Sequence, residues 1–132
     1  MLHPNQFEVN EAWIVFRLND DPLQTEEDGS FNCICLMDAA SCFILGNAMI
    51  SANQAEPSQL EARRLLKTAW AHKKTMPRTL FVPTGQFQTG FSAVAKRKGI
   101  DVVSVDEDQL IVFIGEAREG FSEHVQGRNS EA

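Results

Sequence analysis

Long apolar runs are missing from this sequence. The longest, around residues 33–37 and 110–114, are about five residues long, well short of the roughly 20 residues that cross a bilayer. The N-terminal residues carry no basic cluster, and no apolar run follows them, so a signal-peptide pattern is absent. We therefore expect a protein of the cytoplasm that has no membrane span.

Cysteine and histidine are also scarce. The cysteines are Cys33, Cys35 and Cys42, and the histidines are single and scattered. A zinc site needs a second Cys or His pair at ligand spacing, so the sequence predicts no metal and no cofactor. Cys33 and Cys35 alternate with Ile34 and share one face of a predicted strand. We expect both to be small, buried apolar side chains.

The motifs of several enzyme classes do not occur. The sequence has neither a glycine-rich phosphate loop nor a Gly-x-Ser-x-Gly nucleophile elbow. The acidic runs at residues 19–30 and 106–108 lack the spacing of a calcium loop and are typical of solvated loops. Residues 83–86 contain a single glycine and are expected to form a plain tight turn. The sequence therefore identifies no catalytic residue.

The composition is that of one globular domain. The chain has 132 residues, of which 43% are apolar and 23% are charged, and its net charge is −6. This is enough apolar material for one hydrophobic core. We expect a single α/β domain over residues 1–125. Residues 126–132 carry nothing to bury and are expected to fray as a disordered tail.

Three β-type segments come first along the chain. Residues 12–18, 31–37 and 42–50 are rich in β-forming side chains. The acidic loop at 19–30 joins the first two segments. Residues 38–41 (Asp-Ala-Ala-Ser) suit the short connection of a hairpin between the second and the third.

The periodicity then becomes helical. Ser58 and Glu61 form a capping-box pattern, which predicts a helix from this point to Lys73 and Lys74, favourable residues at a helix C-terminus. Apolar residues at helical spacing predict one buried face, made of Ala62, Leu65, Leu66, Ala69 and Trp70. We expect Trp70 and Trp13 to lie in the core.

The remaining elements alternate strand and helix. Gly99 stands where a glycine commonly ends a helix. The predicted segments are a strand at 79–82, a helix at 86–98, strands at 100–105 and 109–114, and a helix at 116–125. The order β-β-β-α-β-α-β-β-α predicts an α/β fold in which helices pack on the faces of a mixed sheet.

This order resembles the ribonuclease H-like fold of integrase and transposase catalytic cores. Residues 35–46 (Cys-Leu-Met-Asp-Ala-Ala-Ser-Cys-Phe-Ile-Leu-Gly) are similar to the integrase hairpin, in which Asp-x-x-Ser/Thr precedes an apolar strand. The matching helix, strand and post-helix glycine are expected at 57–70, 76–82 and 98–100. The resemblance covers roughly residues 12–105 and implies two divalent metals held by carboxylates.

The acids that this resemblance implies are missing. One carboxylate is expected in the middle of the first strand, where only Arg17 is charged, and one at the end of the fourth, where the sequence has Val82-Pro83-Thr84-Gly85. The helix at 86–98 carries no acid. The resemblance is therefore to a degenerate member without the catalytic acids. An enzyme that uses Asp20, Asp38 and Glu119 instead is the alternative.

Charge is distributed unevenly along the chain. Residues 63–98 contain nine basic residues and no acid, whereas the segments on either side are acidic. One interpretation is an anion- or nucleic-acid-binding surface. The other is that these residues neutralise acidic loops of the same molecule or of a second copy. The candidate binding residues are Arg63, Arg64, Lys67, Lys74, Lys96, Arg97 and Lys98.

We interpret the chain as a non-catalytic domain that acts as a binding or protein-interaction module. The alternative is a nucleic-acid-binding or nuclease/integrase-like protein that uses the basic helices at 63–98. The apolar strand predicted at 109–114 suggests a homodimer, because a strand at the edge of a sheet pairs readily with another chain.

Overall fold

The computed structural model describes the backbone of residues 1–26 and 29–131 and the side chains of residues 1–24, 26 and 29–121. Short 3₁₀ turns lie at Pro4–Gln6 and Glu107–Leu110. The strands and helices of the described part are β1 Ala12–Arg17, β2 Leu23–Thr25, β3 Gly29–Asp38, β4 Ile44–Ser51, α1 Gln59–Lys73, β5 Thr79–Pro83, α2 Gly90–Arg97, β6 Asp101–Val105 and α3 Ile111–Glu131.

These strands form one mixed sheet. β3 pairs with β1 on one side and with β4 on the other, both antiparallel, and β5 and β6 continue the sheet from β1 in parallel. The short β2 pairs with the first residues of β3. The hairpin between β3 and β4 produces the antiparallel half. The crossovers through α1 and α2 produce the parallel half, as expected for strand–helix–strand units.

The sheet is covered on both faces. Trp13 and Val15 of β1 face a core completed by α1 and α2, whereas Ile14 and Phe16 face a second core that contains Phe113 of α3. Side chains alternate between the two faces of a strand. A central strand with helices on both faces is therefore apolar throughout rather than at every second position, which explains the sequence Ala-Trp-Ile-Val-Phe.

The helix α1 begins as the capping pattern predicts. The Ser58 hydroxyl accepts a hydrogen bond from Glu61 N, and the Glu61 carboxylate accepts one from Ser58 N. The second of these bonds holds the pKa of Glu61 below its ordinary value, because it stabilises the carboxylate form. Lys74 ends the helix in a left-handed conformation, and its N–H bonds to the carbonyl of Trp70.

The prediction of a strand at 109–114 is wrong. These residues end a 3₁₀ turn and begin α3. Their apolar side chains recur at helical rather than strand spacing, and the buried set is Leu110, Phe113 and Ile114, with Ala117 packed beside it. A homodimer through an edge strand at 109–114 has no structural basis. The edges of the sheet lie at β4 and β6 instead.

The second predicted helix is shorter than 86–98, because α2 begins only at Gly90. A carboxylate from outside the helix binds its first turn. Glu56 Oε1 accepts from Phe91 N at 2.8 Å, and Oε2 accepts from Thr89 N at 3.2 Å and from Thr89 Oγ1 at 2.9 Å. Negative charge at a helix N-terminus is favourable. Glu56 thus fixes the loop that follows β5.

Two further predictions concern the ends of segments. β2 lies inside the predicted acidic loop 19–30, since a three-residue strand carries too little periodicity to be recognised. The tail predicted at 126–132 lies outside the residues whose side chains are described, and its fraying stays a prediction.

Within the described part of the chain, no helix combines the length and the apolar character needed to cross a membrane.

Candidate functional site

The resemblance implies metal-binding carboxylates on β1 and at the carboxyl end of β5. Ile14, Val15 and Phe16 occupy the second half of β1 and are fully buried apolar side chains. β5 ends at Pro83, and the following Gly85 has a φ of 80° in a tight turn closed by a bond from Gln86 N to Pro83 O. Neither strand end offers a carboxylate, in agreement with the sequence.

Arg118 of α3 lies beside the end of β1 and lines a crevice formed mainly by α3 together with Asp20, Glu107 and Asp108. Its Nε and Nη2 atoms donate to the carbonyl oxygen of Arg17 at 3.0 and 2.8 Å. Nη2 also lies 2.6 Å from Glu107 Oε1, and Nε lies 4.0 Å from Asp20 Oδ1. The Arg118 side chain is only 19% exposed. A positive side chain of the protein itself therefore pairs with Asp20 and Glu107, two of the acids that line this crevice of about 550 Å³.

The alternative set of catalytic acids is not brought together. Asp20 and Glu119 line the crevice with Arg118, whereas Asp38 pairs with Trp13 at the opposite end of β1. The strand alone carries the chain about 13 Å from Trp13 to Arg17, at about 3.3 Å per residue. Two-metal sites hold their ions about 4 Å apart. Among the described side chains, no three Asp, Glu, His or Cys residues are grouped to hold a metal ion.

Asp38 has a different set of partners. The carboxylate is fully buried, where Oδ1 accepts from Asn10 N at 2.7 Å and Oδ2 accepts from Ser41 N at 3.0 Å and from Ser41 Oγ at 2.7 Å. Asn10 in turn accepts a bond from the indole of Trp13 at 2.8 Å. The Asp-x-x-Ser motif thus closes the hairpin between β3 and β4 and ties it to the segment before β1.

A second concavity lies between α1 and the end of α2. It is lined by Arg63, Lys67 and Trp70 of α1, by Met76 of the following turn, and by Lys98 beyond α2, and it has a volume of about 520 Å³. We call it the basic groove. Residues three and four apart share one face of a helix, so the spacing of Arg63, Lys67 and Trp70 aligns them along its wall.

Trp70 contradicts its predicted burial. The side chain is 40% exposed, and Lys74 Nζ lies 5.0 Å from the ring centroid, as in a cation–π pair. Trp13, by contrast, is fully buried as predicted. The buried stripe of α1 consists of Ala62, Leu65, Leu66 and Ala69. Trp70 lies at the margin of that stripe, where its ring forms a partly open apolar surface among cations.

Among the described side chains, no acid lies within ion-pair distance of the cations of the basic groove. Among the described residues, the ion pairs within 4.0 Å are those of Arg118 with Asp20 and Glu107. The interpretation that the basic helices neutralise acidic loops of their own chain therefore finds no support in the described part. Lysines and arginines without an acidic partner are available to an external anion.

The seven basic residues predicted as a surface separate into two groups. Arg63, Lys67 and Lys98 line the basic groove, and Lys74 joins them over Trp70. The other three lie elsewhere. Arg64 borders a separate depression toward β4, Arg97 Nη2 donates to Gln59 Oε1 at 2.8 Å, and Lys96 is exposed on α2 outside the groove.

Two of the three free cysteines are buried, and the third is partly exposed. Cys33 and Cys35 are buried in the core beneath α3, as predicted. The Cys35 thiol donates a hydrogen bond to the Cys33 sulfur, and this bond together with desolvation raises the pKa of Cys35 above its ordinary value. Burial likewise raises the pKa of Cys42. Because the thiolate is the nucleophilic form, the raised pKa lowers the nucleophilicity of Cys35 and Cys42 at neutral pH.

Solved structures share this architecture. The chain matches the simian T-cell lymphotropic virus intasome, solved by cryoEM in complex with the PP2A regulatory subunit B56 gamma, with a TM-score of 0.54 and 14% identity over 89% of this chain and 37% of that chain. It matches the catalytic core domain of BIV integrase with a TM-score of 0.58 and 10% identity, over 93% of this chain and 74% of that chain.

A third match is the magnesium-bound catalytic core domain of HTLV-2 integrase, with a TM-score of 0.52 and 10% identity over 73% of this chain and 61% of that chain. The chain thus spans less than two thirds of the intasome protein and of the HTLV-2 structure. No family model matches the chain, and no curated protein sequence does. Together with the strand order, these matches identify the fold as the ribonuclease H-like fold of retroviral integrase catalytic cores.

Proposed function

We propose that this chain is a non-catalytic domain with a ribonuclease H-like fold that binds an anionic partner through its basic groove. The observation that carries the proposal is the groove itself, in which Arg63, Lys67 and Lys98 surround the partly exposed ring of Trp70. Aromatic side chains and arginine are the residue types enriched in binding surfaces. Cations without acidic partners supply the charge complementarity that guides association.

The absence of catalysis in this proposal rests on the crevice. Metal-dependent nucleases hold their ions with several carboxylates, which bind hard divalent cations. Here apolar residues occupy the second half of β1, Pro83 ends β5, and the guanidinium of Arg118 bonds to the Arg17 carbonyl and to Glu107. The positive charge of this guanidinium would repel a divalent cation bound beside it.

The free cysteines support a cytoplasmic location for the domain. Cys33, Cys35 and Cys42 form no disulfide, and free thiols persist in the reducing cytoplasm. We therefore place the domain in the cytoplasm as part of the proposal.

The test is a comparison of two charge reversals with equal net charge. Arg63→Glu with Lys67→Glu changes the groove, and Arg64→Glu with Lys96→Glu changes the same helices outside it. We expect the groove variant to bind fluorescent oligonucleotide and glutamate-rich peptide probes at least about tenfold more weakly than the wild type. The control variant should stay within about threefold, because Arg64 faces a separate depression and Lys96 lies on α2 outside the groove.

Fluorescence anisotropy at 50 and 200 mM salt measures both dissociation constants. Circular dichroism of each variant shows that the fold is intact. Equal losses in the two variants would mean that net charge, and not the groove, governs binding. No binding of any probe by the wild type at 50 mM salt would refute the proposal.

A further inference from the structure

We infer that the partner of the basic groove is a short acidic peptide segment that inserts a large apolar side chain between its charges. This inference rests on the proposed function and specifies the chemical class of the partner. It follows from three properties of the groove: an apolar floor, a short length, and its position on a protein whose net charge is −6.

The floor of the groove is apolar. Met76 packs against the core that α1 and α2 share, and Trp70 presents 40% of its surface beside it. Phosphate and carboxylate groups gain little from such a surface, whereas an aliphatic or aromatic side chain gains by leaving water. An anchor side chain seated in a pocket with charges at its rim is the arrangement in which interface energy is concentrated.

The groove is also short. From Arg63 to Trp70 the helix rises about 10 Å, at 1.5 Å per residue, which corresponds to about three residues of extended peptide at about 3.3 Å each. The volume of about 520 Å³ falls within the range of about 300–1,000 Å³ typical of sites for compact ligands. A compact anchor with its flanking acids fits these dimensions.

The rest of the molecule disfavours a long polyanion. The chain has 18 acidic and 12 basic residues, and all acids lie outside residues 63–98. A nucleic acid that extends beyond the groove and the basic side chains of α1 and α2 comes near the acids of a chain whose net charge is −6, and their repulsion acts over about 8 Å at physiological salt. A peptide of a few residues keeps its charges within reach of Arg63, Lys67, Lys74 and Lys98.

The experiment uses two heptapeptides that have the same charge. One has glutamates around a central phenylalanine, and the other has alanine in that place. We expect the phenylalanine peptide to bind the wild-type protein at least about tenfold more tightly, because burial of a large apolar side chain supplies that factor. Isothermal titration calorimetry at 50 mM salt measures both affinities.

Protein variants locate the anchor. In Trp70→Ala the affinities of the two peptides should differ by no more than about threefold, because this variant lacks the apolar surface that favours the phenylalanine peptide. Phe43→Ala is the matched control. Phe43 is 50% exposed and lies under Lys73 Nζ, at 5.8 Å, but outside the groove. The preference for phenylalanine should persist in that variant.

The outcomes separate this inference from the proposed function. Equal affinity for the two peptides, with an oligothymidylate bound more tightly through Arg63 and Lys67, would overturn the peptide inference and retain the anion-binding groove. A stable dimer by light scattering that Arg63→Glu with Lys67→Glu dissociates would also overturn it, because the occupant would be a second copy. No binding of any of these probes would refute both.

Discussion

Replacement of Asp38 by alanine is expected to lower the free energy of unfolding by about 3 kcal/mol or more, the largest loss we predict for a single polar side chain in this protein. The fully buried carboxylate accepts three hydrogen bonds, from Asn10 N, Ser41 N and Ser41 Oγ. Removal of the acceptor leaves these donors without that partner at the end of the sheet, and an unsatisfied buried donor costs about 1–3 kcal/mol.

Urea denaturation followed by circular dichroism measures this loss. Ser41→Ala removes the hydroxyl, which donates to Asp38 and accepts from Phe43 N at 3.3 Å, and should cost about 1 kcal/mol. Asp38→Asn keeps one oxygen acceptor, so its loss of unfolding free energy should lie between those of Asp38→Ala and Ser41→Ala. If Asp38→Ala unfolds at the same urea concentration as the wild type, the carboxylate does not organise the hairpin. Any functional defect of an Asp38 variant must therefore be assessed together with its stability.

Replacement of Arg118 by leucine is expected to lower the free energy of unfolding by about 2 kcal/mol. The guanidinium is the link between α3 and the end of β1, because it bonds to the Arg17 carbonyl twice and to Glu107 once. Leucine retains apolar contacts but leaves the carbonyl and the acids beside it without this donor. The contribution of Glu107 is partly screened, since its side chain is 41% exposed.

The control for this variant is Arg64→Leu on α1. Arg64 is exposed and, among the described contacts, has no ion pair within 4.0 Å. It should change the unfolding free energy by no more than about 0.5 kcal/mol. Thermal denaturation compares both variants with the wild type. Equal stability of Arg118→Leu and Arg64→Leu would show that the guanidinium does not fasten α3 to the sheet.

The architecture was predictable from the sequence where local chemistry is strong. Three local motifs were recognisable: the Ser58–Glu61 capping box, Gly99 after α2, and the Asp38–Ser41 hairpin. Each involves only a few neighbouring residues, whose own side chains or backbone fix the turn or the helix end. The segment 109–114 was not predictable from composition, because a run of leucine, isoleucine, valine and phenylalanine suits a buried strand and a buried helix alike. The spacing of Leu110, Phe113 and Ala117 was the signal for a helix.

The candidate sites were predictable only in part. The excess of basic residues at 63–98 indicated a cationic surface, but helical geometry divides it, so that Arg63 and Arg64 face different depressions. The burial predicted for Trp70 was wrong because helical spacing does not distinguish a residue at the margin of an apolar stripe from one at its centre. Arg118 gave no local signal, since its acceptor is the backbone carbonyl of Arg17, 101 residues away.

We expect an anionic partner to bind the basic groove and not the crevice lined by Asp20 and Arg118. The most direct measurement is the ¹H–¹⁵N spectrum of the labelled protein, titrated with the phenylalanine heptapeptide and, separately, with an oligothymidylate in the presence of Mg²⁺. The two indole signals provide an internal control, because Trp70 lies in the groove whereas Trp13 is buried and bonded to Asn10.

We predict that the Trp70 indole and the backbone amides of Arg63 and Lys67 shift with the added ligand, while Trp13 and the crevice residues Asp20 and Gly115 do not. The proposed function would be contradicted by shifts that are confined to Asp20, Gly115 and their neighbours, depend on Mg²⁺ and accompany cleavage of the oligonucleotide. They would place a metal-dependent active site in the crevice.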